Sequence, residues 1–240
     1  MDEGACRLSA EQEKDLFLSA ERDVTVLESP PKFVLGSQSP SRKAVLTATG
    51  ATFDVVVPDI DEKAVGRRGF DSPTHLVRRI AIAKADAIQR ECEKSHPHGV
   101  LLTGDQVVLF EGAIREKPRD RAEAREFIEG YSRSPVGTAG AICLHDLATG
   151  IRVVGTDAAE VHFGQMPDDV IDQLADDNLA LACAGGLAIE NPVVAPYLRR
   201  VEGGTDNVLG LSSRLLASLL AELRCQHRPT YHPPRTPSPP

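Results

Sequence analysis

The chain has 240 residues, of which 41% are hydrophobic, so it is long enough to bury a substantial core in one domain or two closely joined lobes. Its formal net charge of -8 argues against a general affinity for DNA, RNA or anionic membranes, because these partners attract basic surfaces. No apolar run approaches the roughly 20 residues that a membrane-spanning helix requires. The composition therefore predicts a globular protein with neither a nucleic acid nor a membrane as its partner.

The two ends of the chain differ in composition from its middle. Residues 1–31 are polar and charged and end in two consecutive prolines, which predicts an N-terminal extension. This segment has the features of neither a signal peptide nor a transit peptide, so we expect a cytoplasmic protein. Residues 225–240 are rich in proline and poor in apolar residues, which predicts a disordered tail. The globular domain is therefore predicted to span residues 32–224.

Strand-like and helix-like segments alternate between these ends. A short apolar strand comes first and precedes a helix that begins near Pro40 and ends at Gly50. A β-type stretch, TFDVVVPDID, leads to a long helix that begins at Ser72-Pro73. The next segments are GVLLTGDQVVLFEG (strand), RAEAREFIEGY (helix), AGAICLHD and RVVGTDAAEVHF (strands) and PDDVIDQLADD (helix). This alternation predicts a mixed α/β domain.

A polar turn between the first strand and the first helix is the first candidate site. It contains Ser37 and Ser39 and is followed at once by Arg42. Backbone N–H groups at the start of a helix bind anions, and an arginine adds a forked pair of donors, so this turn is suited to phosphate. Ordinary helix capping by serine explains the same residues equally well. The sequence is compatible with both phosphate binding and helix capping.

Carboxylates form a second candidate site in the segment Asp59-Ile60-Asp61-Glu62. If this segment is extended, alternate side chains lie on one face. Magnesium and manganese ions take oxygen ligands and bridge nucleotide phosphates, so such a group suits a divalent cation. A solvated acidic turn is the alternative interpretation.

Three basic residues and one carboxylate are further candidates for the site. Arg79 and Lys84 lie on the long helix, and Lys84 interrupts an apolar stretch, where it either extends its amine to water or faces an anion. Lys117 precedes a helix at a position from which it could reach a phosphate. Asp105 interrupts an apolar strand, where an unpaired carboxylate would be costly, so we expect a cation or metal beside it. A carboxylate placed in this way can hold a metal or deprotonate an attacking water.

The ordered series of segments is more specific than any one of them. GSQSPSR, DIDE, RIAIAK, TGDQVV, REKP, CAGGLAIE and NVLGL together resemble the Maf family of nucleotide pyrophosphatases, in particular its plant-like eukaryotic members. The resemblance implies an elongated α/β fold related to the inosine triphosphate pyrophosphatases, with a mixed sheet, flanking helices and a nucleotide cleft between two lobes. It also implies a homodimer, a divalent metal cation (Mg or Mn), and hydrolysis of a nucleoside triphosphate to its monophosphate and pyrophosphate.

The resemblance assigns roles to the candidate residues. Asp105 becomes the general base that activates water, and Asp61 and Glu62 join it as candidate metal ligands. The residues that contact the triphosphate would be Ser37, Ser39, Arg42, Arg79, Lys84 and Lys117.

Three further positions of the family are associated with base selection, and in this chain they are Ser41, Gln106 and Glu190. Gln106 and Glu190 match the members that resemble 7-methyl-GTP pyrophosphatases, whereas the dTTP/UTP type carries Thr and Gln there. Ser41 matches neither type. The segment SRSPVGTAG also lacks a histidine that the family carries, although we expect the strand to survive. The remaining alternatives are a dTTP/UTP pyrophosphatase and a nucleotide-binding regulatory protein without turnover.

Overall fold

A computed structural model of the chain describes residues 24–67 and 69–226. Most of the predicted N-terminal extension and nearly all of the predicted proline-rich tail lie outside these residues. Within the part of the chain that the structure describes, none of the helices is both long enough and apolar enough to span a bilayer.

The described chain is built on one mixed sheet of seven strands in the order β2-β1-β3-β5-β6-β7, and β4 forms a hairpin with β3. β1 runs parallel to β2 and β3, whereas β3, β5, β6 and β7 are antiparallel neighbours. The α/β class and the mixed sheet are thus confirmed. The strands are β1 (Phe33–Gly36), β2 (Phe53–Val55), β3 (Val100–Phe110), β4 (Ala113–Arg115), β5 (Val136–Asp146), β6 (Arg152–Phe163) and β7 (Leu198–Glu202).

Helices cover both faces of this sheet. Two of them begin as the sequence predicts, with a serine cap followed by proline in the first turn: Ser39 caps α1 and Ser72 caps α2. The helices are α1 (Pro40–Ala48), α2 (Pro73–Ser95), α3 (Arg121–Tyr131), α4 (Asp168–Asp176), α5 (Asn178–Ala182), α6 (Thr205–Val208) and α7 (Ser213–Gln226). Short 3-10 turns lie at Glu62–Ala64, Ala184–Gly186 and Ala195–Tyr197.

Neighbouring residues of the central strands point into two separate apolar cores. Phe33 and Leu35 of β1 belong to the larger core, which α1, α3, α4 and α7 complete. Val34 between them belongs to the smaller core under α2, together with Leu101 of β3. This alternation follows from the period of two along a strand. Any two consecutive residues of β3 therefore serve opposite faces of the sheet.

The predicted β-type stretch TFDVVVPDID is wrong over most of its length, because the strand ends at Val55. Among the described residues β2 lies at the edge of the sheet, and its one neighbouring strand there, β1, has four residues. The last backbone bond between them runs from Val56 N to Leu35 O at 3.1 Å, and Pro58 has no N–H with which to continue the ladder. Asp59 and Asp61 consequently lie in a loop and not on one face of a strand.

The edge of β3 that faces β1 and β4 contains a gap. β1 pairs with Val100–Thr103, and β4 pairs with Val108–Phe110. Between these two pairings, residues 104–107 have β5 on one side and, among the described residues, no strand on the other. Asp105 and Gln106 lie in this gap, one residue for each face of the sheet.

Part of the predicted N-terminal extension packs on the domain. Leu27 is buried in the larger core, and its N–H donates to Thr49 O at 3.0 Å. Thr25 N donates to the hydroxyl of Ser213, which lies at the start of α7. Residues 24–31 thus join the packed unit that the sequence predicts to begin at residue 32.

Two strand glycines provide a matched test of packing around the gap. A Cβ on Gly104 would lie 2.8 Å from the carbonyl oxygen of Ala141 on β5, whereas a Cβ on Gly137 has no neighbour nearer than 3.7 Å. We expect Gly104→Ala to lower the free energy of unfolding by about 1 to 3 kcal/mol because β3 and β5 must move apart. Gly137→Ala should leave it unchanged or slightly higher. Urea denaturation measures both, and equal midpoints for the two variants would contradict the close approach.

Candidate active site

The turn after β1 is organised by two serine hydroxyls. Ser39 Oγ accepts from the N–H of Arg42 at 3.3 Å, which is the capping bond that begins α1. Ser37 is buried, and its Oγ accepts from Ser39 N at 3.2 Å and from Arg42 Nη1 at 3.3 Å. The capping interpretation is therefore confirmed for Ser39, and the same turn also holds the guanidinium of Arg42 against Ser37.

Arg42 crosses from this turn to the C-terminal part of the chain. Its Nε donates to the carbonyl oxygen of Gly210 at 3.0 Å. Burial lowers the pKa of Arg42 from its ordinary value, and the negative charges of Asp105 and Glu62 oppose that change. Arginine stays protonated under these conditions, so the guanidinium brings a fixed positive charge close to two carboxylates.

Lys84 is the centre of the charged group. It is only 6% exposed, because its position on α2 faces the sheet together with Ile80 and Ile88. Its Nζ lies 2.9 Å from Asp105 Oδ1 and 2.9 Å from Glu62 Oε1. The interpretation in which this amine extends to water is therefore wrong.

Asp105 lies in the gap of β3 on the face that α2 covers. It is 8% exposed, and burial raises the pKa of its carboxyl group, against the lowering effects of Lys84 and Arg42. A raised pKa makes a carboxylate a stronger base, and the ammonium of Lys84, 2.9 Å away, offsets part of the rise in pKa. The arrangement suits proton transfer from a bound water.

The structure brings together only part of the predicted metal-ligand group. Glu62 begins a 3-10 turn, and its side chain, 48% exposed, reaches Lys84. The Asp61 carboxylate instead accepts from Lys63 N at 3.0 Å and caps the same turn. Asp61, Glu62 and Asp105 do not form a set whose ligand atoms all lie within 4.8 Å. The ammonium of Lys84 lies between the carboxylates of Glu62 and Asp105.

In the part of the chain that the structure describes, the one group with that spacing lies elsewhere, at Glu160, His162 and Glu202. Glu160 pairs with Gly137 of β5, which pairs in turn with Leu109 of β3. The group is therefore two strands across from β3 and about four residues along from Asp105. Arg200 already provides Glu202 with a cation.

Gln106 points to the opposite face of the sheet from Asp105. Its Nε2 donates to the backbone carbonyl of Asn207 at 2.6 Å. Its Oε1 lies above Gly210, whose backbone also accepts from Arg42. Gln106 and the charged group are thus joined through Arg42, although they lie on different faces. Ser41 is half-buried in the first turn of α1, beside Arg42 in sequence.

Glu190 lies in the loop that follows the 3-10 turn Ala184–Gly186. It is 8% exposed, and burial raises the pKa of its carboxyl group to about 7. Gly185 N in the preceding turn donates to Glu116 O at 2.9 Å, which ties this loop to the segment that carries Lys117. The side chain of Lys117 is exposed.

Arg79 is not brought to the charged group. Its Nη1 lies 3.3 Å from Oδ2 of Asp71, a residue of the loop that precedes α2. Five residues on a helix correspond to a rotation of roughly 140°, so Arg79 and Lys84 face different directions.

The segment NVLGL has no acidic or basic side chain that would indicate a role in the site. In the structure, Asn207 and Gly210 of this segment accept hydrogen bonds from Gln106 and Arg42. Both acceptors are backbone carbonyls, which every residue carries, so side-chain identity gave no direct signal for them. The glycine in an otherwise apolar segment was the available indication of a close approach.

Comparisons with known proteins found one matching family model and several similar proteins. A family model described as "Maf-like protein" matches residues 32–223. A 7-methyl-GTP pyrophosphatase of Dictyostelium discoideum is 34% identical over 79% of this chain and 96% of its own length. A nucleoside triphosphate pyrophosphatase of Salinispora tropica is 35% identical over 81% and 84%. A dTTP/UTP pyrophosphatase of Chlamydia caviae is 29% identical over 80% and 94%.

Among solved structures, a nucleoside-triphosphatase (dITP/XTP pyrophosphatase) from Mycobacterium abscessus is similar at 16% identity and a TM-score of 0.35, covering 82% of this chain and 98% of its own. A similarity of this size carries no argument about the site.

The raised pKa of Glu190 has a consequence for stability. A carboxyl group whose folded pKa of about 7 exceeds its unfolded value stabilises the fold below the unfolded pKa, and this contribution is lost as pH rises through 7. We expect Glu190→Gln to remove the loss. We therefore compare the free energy of unfolding of Glu190→Gln with that of the unsubstituted chain. The difference, variant minus unsubstituted, should be about 2 to 3 kcal/mol larger at pH 8 than at pH 5. Urea titrations at both values measure this, with exposed Glu91→Gln as control; a difference independent of pH would contradict the burial of an ionisable Glu190.

Proposed function

We propose that this chain, which belongs to the Maf family, hydrolyses a nucleoside triphosphate to the nucleoside monophosphate and pyrophosphate. The observation that carries the proposal is the meeting of Lys84 with Asp105 and Glu62 at 2.9 Å each, beside the buried Arg42. Two cations beside two carboxylates provide both a place for a polyanion and a base for water. Relatives named as nucleoside triphosphate pyrophosphatases support the same activity.

In this proposal Asp105 accepts the proton of the attacking water. The water oxygen bonds to the α-phosphorus. The bond between the α-phosphorus and the oxygen that bridges to the β-phosphate breaks, and pyrophosphate leaves with this bridging oxygen. Arg42 and Lys84 bind phosphate oxygens and offset their charge, and the N–H groups at the start of α1 add donors near Ser37 and Ser39. Lys117 extends from an exposed position and completes the phosphate contacts when the substrate is bound.

The residues present fit a hard divalent cation, magnesium or manganese. Glu62 and Asp105 converge, since one carboxylate oxygen of each contacts Lys84, and the ion would bind beside this ammonium and not in its place. When bound there, such an ion shields the repulsion between phosphates and carboxylates. Glu62 is the stronger candidate of the two neighbouring acids, because the Asp61 carboxylate is engaged in capping its own turn.

For the base, we propose a guanine, including its 7-methylated form. Gln106 and Glu190 match the 7-methyl-GTP type, and the Dictyostelium relative of that name supports the choice. An ionised Glu190 accepts from the N1 and N2 donors of guanine and favours the positive charge of a 7-methylated ring. The dTTP/UTP type, to which the Chlamydia relative belongs by name, is the alternative. The homodimer and the cytoplasmic location stay predictions.

The first test is pyrophosphate release from dTTP, UTP, CTP, GTP and 7-methyl-GTP with magnesium or manganese. We expect turnover of a guanine nucleotide, and a loss of about 100-fold or more in Asp105→Asn, because the amide cannot take the proton. Asp54→Asn, on the exposed strand β2, is the control that should keep full activity. A pyrimidine preference would favour the alternative substrate, and an active Asp105→Asn would contradict the general base. If pyrophosphate were released from none of the five nucleotides, a nucleotide-binding regulatory protein would be the better interpretation.

A second test separates the two neighbouring acids. We expect a chelator to abolish pyrophosphate release and added magnesium or manganese to restore it. Glu62→Gln should raise the metal concentration for half-maximal activity by about 10-fold or more, since it removes a charged ligand. Asp61→Asn should change that concentration much less, because this side chain caps the 3-10 turn. Equal shifts in the two variants would contradict the assignment, and activity in the presence of chelator would contradict the metal.

A further inference from the structure

The segment 204–211, which we call the 204–211 turn, is fixed by its own hydrogen bonds. It contains α6, and its chain reverses so that Gly210 N donates to Asn207 O at 2.9 Å and Leu211 N donates to Asp206 O at 3.1 Å. Asp206 is 4% exposed and fully engaged: Oδ1 accepts from Asn207 N at 2.8 Å, and Oδ2 accepts from Ser213 N at 2.7 Å and Ser213 Oγ at 2.6 Å. The turn is therefore anchored to the first residue of α7.

Two residues of the proposed site rest on this turn from different directions. Gln106 reaches it from the gap in β3, with Nε2 2.6 Å from Asn207 O. Arg42 reaches it from α1, with Nε 3.0 Å from Gly210 O. The two side chains start 64 residues apart in the chain, so a single short turn sets the relative position of a phosphate-binding and a base-binding side chain.

The contact with Asn207 fixes which end of the Gln106 amide is free. A backbone carbonyl only accepts, so the amide atom at 2.6 Å must be the nitrogen. The oxygen, Oε1, is then the end left for a ligand, and it lies above Gly210 on the same side as Arg42. Gln106 consequently presents an acceptor to the site.

Gly210 allows both side chains to approach. Its φ of +100° is disfavoured for residues with a Cβ, and a Cβ there would lie 3.4 Å from Arg42 Nε and 3.5 Å from Gln106 Oε1. A side chain at this position would press on both residues at once.

We propose that the 204–211 turn is the positioning element of the site, and that it makes Gln106 a hydrogen-bond acceptor for the base, so that the preferred substrate presents an N–H donor there. The inference rests on the proposed function for its substrate class. For guanine the donors are N1–H and the N2 amino group; for uracil the donor is N3–H.

The acceptor role is tested by removing the donor from the substrate. With guanine as the preferred base, kcat/KM is compared for GTP, ITP (no N2 amino group) and N1-methyl-GTP; with uracil, for UTP and N3-methyl-UTP. We expect at least one donor-lacking analogue to lose on the order of 10- to 100-fold in the unsubstituted chain, because Oε1 is left unpaired. In Gln106→Met that penalty should shrink to about threefold or less. A penalty of the same size in both proteins, or none in either, would overturn the acceptor role.

The positioning role is tested by Gly210→Ala against Gly150→Ala. Both glycines have positive φ, but Gly150 lies in the turn between β5 and β6 with nothing within 4 Å of an added Cβ. Gly210→Ala should raise KM about 10-fold and reduce discrimination against the donor-lacking analogue, whereas Gly150→Ala should change neither. Unchanged discrimination in Gly210→Ala would overturn the positioning role even if kcat falls, since general loss of structure does not alter the ratio between substrates.

The two proposals fail in different ways. Absence of pyrophosphate release from every triphosphate would end the proposed function, and calorimetric titration of the same triphosphates would then compare donor-bearing and donor-lacking bases by their Kd. Turnover with equal rates for both kinds of base would leave the pyrophosphatase in place and end the acceptor role of Gln106.

Discussion

The buried ammonium of Lys84 is the contact on which the rest of the site depends. An unpaired carboxylate such as Asp105, 8% exposed beneath an apolar helix, would cost several kcal/mol, and an unpaired buried lysine would cost a similar amount. Together they satisfy one another at 2.9 Å, and Glu62 adds a second carboxylate from the loop before α2. One pairing thus holds a helix, a strand and a loop in fixed relation. It also holds an excess of carboxylate charge that a metal ion or the nearby guanidinium can offset.

The pairing of Lys84 with Asp105 lies beside the gap in the sheet. Along most of β3, neighbouring strands on both sides occupy the backbone groups, and α2 covers one face. β1 ends opposite Thr103 and β4 ends opposite Val108, so the stretch of β3 between these two residues is open at its edge. The turn that follows β1 lies at that opening, because a parallel strand delivers its C-terminal loop to the same edge. The serine turn after β1 and the carboxylate of Asp105 therefore both lie where backbone pairing is incomplete.

The sequence predicted that Asp105 has a cation beside it, and it did so for a physical reason. Lys84 and Asp105 interrupt apolar segments, and a charge in such a position needs a partner, which is what the structure provides. The sequence was less informative for Asp61 and Arg79, because the geometry of the surface decides which partner each charge finds. Asp61 caps a turn, and Arg79 pairs with Asp71. The overestimate of β2 has a similar origin, since strand-forming residues need a neighbouring strand and β1 is short.

Contacts that are made through backbone carbonyls could not be predicted from the sequence. Asn207 and Gly210 position Gln106 and Arg42 through atoms common to all residues, so only the three-dimensional path of the chain reveals them. This arrangement also separates two tasks within one site. The face toward α2 carries the charged pair of Lys84 and Asp105, whereas the opposite face carries the amide of Gln106. Arg42 contacts the same turn as Gln106 while its charge acts on Asp105, so in the proposed function one turn would support both the phosphate-binding and the base-binding side chain. A change of base preference at Gln106 can then leave the phosphate chemistry in place as long as the turn keeps its shape.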